Sequence, residues 1–280
     1  MQQRITALPA LVLVMTFMAA RGYASETDSS FVNAVRKGIH LFDSAYNAWD
    51  TRLFRQANGH FEGMEKQYPA SHVPCYWQGV VCFHLVSYYL FGFSYDRDET
   101  AAAAYIERGL AALERSLQRK AGEAESLALR GTMTGIRIFL NPLLAPVFGP
   151  KVMGSIEAAM SVDPANPRVQ YLVGVSYYNT PALLGGGASA GMPYLLRAEM
   201  LYEREQEKPG AGIAPRWGRS TCLGFIGKGY MKKGEYPEAR NYFTKALEVN
   251  PRDAMVRESM QELKKKKKKR QPEKIQWQKK

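Results

Sequence analysis

The chain has 280 residues, with 38 Lys and Arg against 26 Asp and Glu, for a formal net charge of +12. Residues 264–280 hold ten of the basic residues and one acid, and Arg4 and Arg21 lie within the first 24 residues, so the rest of the chain carries only about +1. A nearly neutral body excludes a fold coated with positive charge for a polyanion, and the basicity belongs to a tail.

Residues 1–24 come first in chain order. Arg4 supplies positive charge, Ile5 to Ala20 is apolar except for Thr6, Pro9 and Thr16, and Gly22 and Ala24 put small residues where a signal peptidase reads them. The pattern predicts a signal peptide cleaved after Ala24 and export of the mature chain, most simply into a bacterial periplasm. A membrane anchor is the rival, but a sixteen-residue run is shorter than the roughly 20 residues that span a bilayer. Pro9 also interrupts that run, and no cysteine at the cleavage position offers a site for a lipid.

From residue 25 to 263 the pattern is helical and paired. Ridges with spacings of four and three recur at Ala57/Phe61/Met64, Ala102/Ile106/Gly109, Val152/Ile156/Ala159, Gly191/Leu195/Ala198 and Ala239/Phe243/Ala246. Such spacings place the three side chains on one helix face. Pro69, Pro164 and Pro251 each stand twelve residues after the opening of a ridge, and small residues precede the ridges at Ala45, Gly79, Gly131, Gly174 and Gly227. This predicts five helical hairpins with insertions in their connections. A helical bundle without repeat stacking is the alternative topology.

Cys75 and Cys82 fall on the first helix of the second predicted hairpin. Seven residues at 1.5 Å each separate them by about 10 Å, beyond the roughly 7 Å a disulfide tolerates. With Cys222 they are predicted to be semi-buried thiols used as small apolar groups. His72, Cys75, Cys82 and His84 have a superficial zinc spacing, but sulfurs two helical turns apart cannot meet at one ion, so no metal site is expected.

Two connections are unusual. Residues 141–150, NPLLAPVFGP, hold three prolines and cannot be helical throughout, and their Leu143, Leu144, Val147 and Phe148 call for cover, which predicts a buried flap. Residues 179–187, NTPALLGGG, join the helices of the fourth hairpin, and the three glycines permit backbone conformations closed to other residues. No strand precedes them and no Gly-Lys-Ser/Thr follows, so a phosphate-cradling role is not indicated.

Residues 220–253, STCLGFIGKGYMKKGEYPEARNYFTKALEVNPRD, are the stretch in which nearly every residue has an assignable structural job. Gly227 and Tyr230 lie on a first helix, residues 233–236 form a turn, Ala239, Phe243 and Ala246 form the ridge of a second helix, and Pro251 closes the unit. This segment resembles a tetratricopeptide repeat, with Leu223 where that family often has tryptophan. The resemblance implies an all-α, α-α superhelix of about five hairpins plus a C-terminal capping helix, because one such unit cannot bury its apolar face alone. The insertions are similar to those of exported bacterial repeat proteins of this type.

The capping helix is predicted to end near Leu263 and to give way to a disordered basic tail over 264–280. There Lys264, Lys265, Lys266, Lys267, Lys268, Lys269 and Arg270 are candidates for contact with an anionic membrane or envelope surface. Nucleic acid is not an expected partner of an exported chain. The four histidines lie in no nucleophile motif, so neither an enzyme nor a cofactor is expected. The resemblance implies an exported scaffold that binds a protein or peptide in a concave groove lined by first helices. Tyr76, Phe83, Tyr171, Tyr178 and Asn179 are the candidate groove residues, with interior packing of the aromatics as the alternative. A periplasmic ligand-binding or transporter-associated component is the second functional reading. The clamp of lysines and asparagines with which some family members grip acidic chaperone tails is not matched.

Overall fold

Helix starts are marked along the chain by side chains that cap exposed backbone N–H groups. In the computed structural model, which describes residues 28–92, 97–207 and 212–277, Asp28, Asp50, Asp98, Glu123 and Asn166 each accept a hydrogen bond from a first-turn amide. Each satisfies a donor that the helix itself leaves unpaired. Eleven α-helices result among the described residues: α1 (Ser29–Ala48), α2 (Thr51–Gln67), α3 (Val73–Phe91), α4 (Glu99–Arg119), α5 (Ala124–Leu140), α6 (Ala145–Val162), α7 (Pro167–Asn179), α8 (Ala188–Gln206), α9 (Arg219–Lys233), α10 (Tyr236–Val249) and α11 (Ala254–Trp277). No helix among the described residues is long and apolar enough to cross a membrane.

The first ten pair as α1/α2, α3/α4, α5/α6, α7/α8 and α9/α10, and successive hairpins stack, with α11 as the cap. This is the predicted all-α superhelix. Close approach within a hairpin depends on glycines. A Cβ on Gly131 would meet Ile156 at 3.1 Å, one on Gly174 would meet Leu195 at 2.8 Å, and one on Gly227 would meet Phe243 at 2.6 Å. These are the small and large partners expected from sequence.

The first two hairpins differ from expectation by two helical turns. Gly38, not Ala45, lies against Phe61, and Gly79 lies against Leu113, so the inner ridge of α4 is Gly109/Leu113/Ser116 rather than Ala102/Ile106/Gly109. A slip of seven residues is close to two turns and keeps the same helix face, so spacing alone does not separate the two registers.

Both connections also take defined forms. Residues 142–144 make a 3-10 turn and α6 begins at Ala145, yet Leu143 is 87% exposed and Val147 61% exposed, which corrects the expected buried flap. Helix formation from residue 145 carries these side chains outward at the edge of the stack instead of folding them under it. In the other connection Gly185 and Gly187 adopt φ of 80° and 106°, the left-handed and mirror regions that only glycine enters readily.

The stack turns until its ends meet. Tyr46 on α1 shares a 3.3 Å hydroxyl contact with Thr221 on α9, and Asn250, after α10, donates to the Tyr46 carbonyl at 3.3 Å. Arg97 before α4 reaches Glu258 on α11 at 3.8 Å. The α11 backbone stays helical to Trp277, through the stretch expected to be a disordered tail. Lys264, Lys265 and Lys266 are exposed on it, and Lys266 pairs with Glu262 at 2.9 Å. Side chains beyond 266, and residues 1–24, where the sequence predicts a signal peptide, lie outside the described residues.

Candidate functional site

The inner face of the superhelix is built from the first helices of the hairpins, and the chain itself occupies it. Segment 212–218 leads from α8 to α9 and carries Trp217 into the interior, where the indole is 4% exposed. Its ring lies 6.0 Å from Phe83, 5.4 Å from His84 and 6.3 Å from Tyr171, measured between centroids, in tilted and edge-on arrangements. Aromatic pairs favour this geometry. The indole N–H donates to the Tyr76 hydroxyl at 2.8 Å, and the Trp217 carbonyl accepts from Tyr202 at 3.1 Å. Gly218 lets the segment turn into α9: its φ is 102°, and a Cβ there would meet the Tyr202 hydroxyl oxygen at 2.5 Å.

A polar chain continues from this anchor through three hairpins. The Tyr76 hydroxyl donates to Glu125 on α5, whose other oxygen accepts from Asn166 at 2.9 Å and from Arg168 Nε at 2.7 Å. Arg168 then forks onto Glu205 of α8 with bonds of 2.9 and 2.7 Å. Glu125 and Arg168 are both buried, and a buried charge is tolerated only when paired and hydrogen-bonded. Burial, followed by the neighbouring Glu125 charge, pushes the Tyr76 phenol well above its ordinary pKa, so it stays a donor. Nothing in the local sequence links residues 76, 125, 168, 205 and 217. The only sequence signal is that Glu125 and Arg168 interrupt otherwise apolar or neutral first-helix faces.

The predicted groove residues divide accordingly. Tyr76, Phe83 and Tyr171 gather around Trp217, and Tyr178 packs edge-on to Phe225 at 5.4 Å with the Lys232 ammonium 4.4 Å above its ring. All four are buried, so as free groove residues they are corrected: they are interior side chains covered by segment 212–218 and by neighbouring helices. The Tyr178 hydroxyl has no hydrogen-bond partner among the described residues. Asn179 is exposed, and its Nδ2 donates to the Val175 carbonyl at 2.9 Å.

His84 stands at the centre of the aromatic cluster, 4.9 Å from Phe42 and 5.3 Å from Tyr46, with Nδ1 donating to the Val80 carbonyl at 2.8 Å. Burial lowers its pKa to about 4, against which the Val80 hydrogen bond acts in the raising direction. An unfolded histidine takes up a proton near pH 6.5. The contribution of neutral His84 is therefore whole above pH 6.5 and is lost as the pH falls toward 4, by about 3 kcal/mol in all. Urea denaturation should show the wild-type midpoint dropping over that window by clearly more than that of His84→Phe.

A second polar cluster lies between α2, α3 and α4. Glu65 accepts from Arg115 at 2.8 Å, from Arg119 at 2.8 Å and from Gln78 at 2.8 Å in an open pocket that Glu62 and Lys66 also line. Burial alone would raise the Glu65 pKa, but hydrogen bonds from Arg115, Cys75, Gln78 and Arg119 outweigh it and hold the carboxyl well below the usual range. The cluster pairs its carboxylate and ties three helices together. Cys75, Cys82 and Cys222 are buried thiols, and burial pushes the first two up to about 12. Among the described residues, no group of three or more His, Cys, Asp or Glu side chains is placed to hold a metal ion.

Stacked antiparallel helix pairs with small-to-large contacts at each hairpin define an α-solenoid of the tetratricopeptide type. The tetratricopeptide-repeat family model matches residues 221–253. A thermophilic tetratricopeptide-repeat protein from Thermus thermophilus is similar in structure, with a TM-score of 0.57 at 16% identity over 82% of this chain and 97% of that one. The HusA haemophore from Porphyromonas gingivalis is similar at a TM-score of 0.57 and 16% identity, over 74% of this chain and 96% of that one. No curated protein sequence matches. Residues 221–253 thus match one tetratricopeptide repeat, and the chain as a whole shares the all-α superhelical fold of such proteins.

Proposed function

We propose that the protein is an exported scaffold that receives a protein segment on the inner face of its superhelix, in competition with its own segment 212–218. The tetratricopeptide fold supports a role in protein–protein interaction. The observation that carries the finer reading is Trp217. It fills the inner face as a partner's aromatic anchor would, with its ring among Phe83, His84 and Tyr171 and its N–H on Tyr76. Buried aromatic anchors with one satisfied polar group are what interfaces use for most of their binding energy. A face occupied by its own chain binds a partner with an apparent affinity reduced by the fraction of time it is open.

Trp217→Phe keeps a ring and removes the hydrogen bond to Tyr76, so it should raise the open fraction and increase several-fold the recovery of partner from an envelope extract. Equal recovery by wild type, Trp217→Phe and Trp217→Ala, all folded by circular dichroism, would place the partner elsewhere. Export makes a separate demand: mass spectrometry of the mature chain should find its N-terminus at Ser25. A chain in the cytosol that still starts at Met1 would rule the exported reading out.

A further inference from the structure

The connections of the third and fourth hairpins leave five large apolar side chains in solvent: Phe139 (65% exposed), Leu143 (87%), Val147 (61%), Leu183 (96%) and Leu184 (69%). Single exposed apolar residues are ordinary, but a contiguous set on one edge marks an interaction site. These share an edge. Thr132 on α5 touches Ser176 on α7 at 3.2 Å and the Leu172 carbonyl at 3.4 Å, so the two first helices run side by side and both turn back at the same end of the stack. Phe91 at the end of α3 packs on Phe139 at 6.3 Å, and Lys232 at the end of α9 lies over Tyr178, which extends the same edge on either side.

Within the third and fourth hairpins the charge at this end is basic, with acids on its flank: Glu107 on α4, and Asp98 and Glu99 at the start of α4 beside the end of α3. Residues 126–156 contain no Asp or Glu, nor do residues 169–198. Lys151, Lys232 and Lys233 are exposed there, with Lys151 Nζ 5.1 Å above the Phe148 ring and Lys233 Nζ 5.8 Å above the Tyr230 ring. Arg137 is also present, 4.7 Å over Phe148, but it is paired with Glu107 at 3.0 Å. Glu235 in the α9 to α10 turn is the acid that follows.

From this placement we infer that the edge formed by the α5 to α6 and α7 to α8 connections docks on an anionic lipid surface, with Leu143, Leu183 and Leu184 entering the headgroup and acyl boundary. The side chains stand on turn tips, a shape that penetrates a fluid interface and has no walls to grip a protein anchor. Long lysine side chains beside them reach back to anionic headgroups while their stems stay in the apolar layer. A second copy presenting the same edge would set lysines against lysines, which opposes self-association. The inner face around Trp217 takes no part, so this docking stands independently of partner binding.

The test uses the full mature chain and vesicles of phosphatidylglycerol with phosphatidylcholine, compared with vesicles of phosphatidylcholine alone. Wild type should sediment with the anionic vesicles and release as salt rises. The variant Leu143→Ser/Leu183→Ser/Leu184→Ser alters exposed side chains only, so its thermal melt should be unchanged while its vesicle binding falls by about tenfold or more. Because the three native thiols are buried, Leu183→Cys can be labelled selectively with an environment-sensitive dye. Its emission should brighten and shift to the blue on adding anionic vesicles. Wild-type binding that the triple serine variant retains would assign the membrane contact to the lysine run at 264–269 and overturn the proposal. So would an absence of binding, or a dye response that follows protein concentration without vesicles, the signature of a second copy.

Discussion

Arg168→Met is expected to destabilise the folded chain by about 3 kcal/mol, measured by urea denaturation at neutral pH. Arg168 Nε holds Glu125 at 2.7 Å and its two terminal nitrogens hold Glu205, with both the arginine and Glu125 buried. Removing one partner from a buried ion pair typically costs about 3–5 kcal/mol, because the remaining charge has lost both its solvent and its counterion. The lower end applies here. Asn166 and the Tyr76 hydroxyl still bond to Glu125, and Glu205 is 24% exposed and can recover water. Adding Glu125→Gln to Arg168→Met should return part of the loss, since no unpaired charge is then buried. A double variant no more stable than Arg168→Met would show that the arginine acts by packing and not by compensating Glu125.

Trp77→Ala has a comparable expected effect, about 4 kcal/mol, within the range for removing a buried aromatic ring. The Trp77 ring is 1% exposed, stacks on Phe61 at 5.5 Å with planes 6° apart, and lies 5.4 Å from Phe42. It therefore joins α3 to both helices of the first hairpin, and the cavity left by alanine opens between two repeats. Repeat arrays hold together through nearest-neighbour interfaces. The first hairpin should consequently unfold ahead of the rest, with a split thermal transition and early loss of amide-exchange protection in α1 and α2. Trp77→Phe keeps most of the volume and should cost less than half as much. A single transition with uniform loss of protection would mean that the closing contacts of Tyr46 with Thr221 and Asn250 bind the ends into one cooperative unit.

Those closing contacts show how differently the parts of this molecule are encoded. Residues 220–253 set their own helix pairing because Gly227 meets Phe243 and the Ala239 carbonyl within one hairpin, and the helix turn at Gly234, with φ of 81°, needs glycine. The same local grammar, more degenerate, sets the third and fourth hairpins at Gly131 with Ile156 and Gly174 with Leu195. It leaves the first two ambiguous, since Ala45 and Gly38, or Ala102 and Gly109, differ by seven residues and occupy one face. Which glycine receives the partner helix depends on how far the two helices slide, and their whole contact surface decides that.

The inner face was partly legible. Tyr76, Phe83 and Tyr171 do converge, because the first helices of successive hairpins are neighbours. Their cover was not legible, because Trp217 reaches Tyr76 across 141 residues of sequence and no periodicity records a loop that folds inward. The same holds for the 141–150 connection: apolar composition argues for cover, but the direction in which a turn projects is settled by the helices on either side of it.

The amino-acid sequence by itself determined the helical hairpins, their repeat type, the glycine-dependent turns and the concentration of charge at the C-terminal end. Each of these rests on interactions within a few turns of one helix pair. Only the tertiary structure decided that the superhelix closes α1 onto α9 and Asn250, that Glu125 and Arg168 are buried as one polar chain, that Trp217 fills the inner face, and that Leu143 and Leu183 face solvent. The physical reason is sequence separation: these contacts join residues far apart in the chain, whose meeting depends on the summed angles of five stacked hairpins.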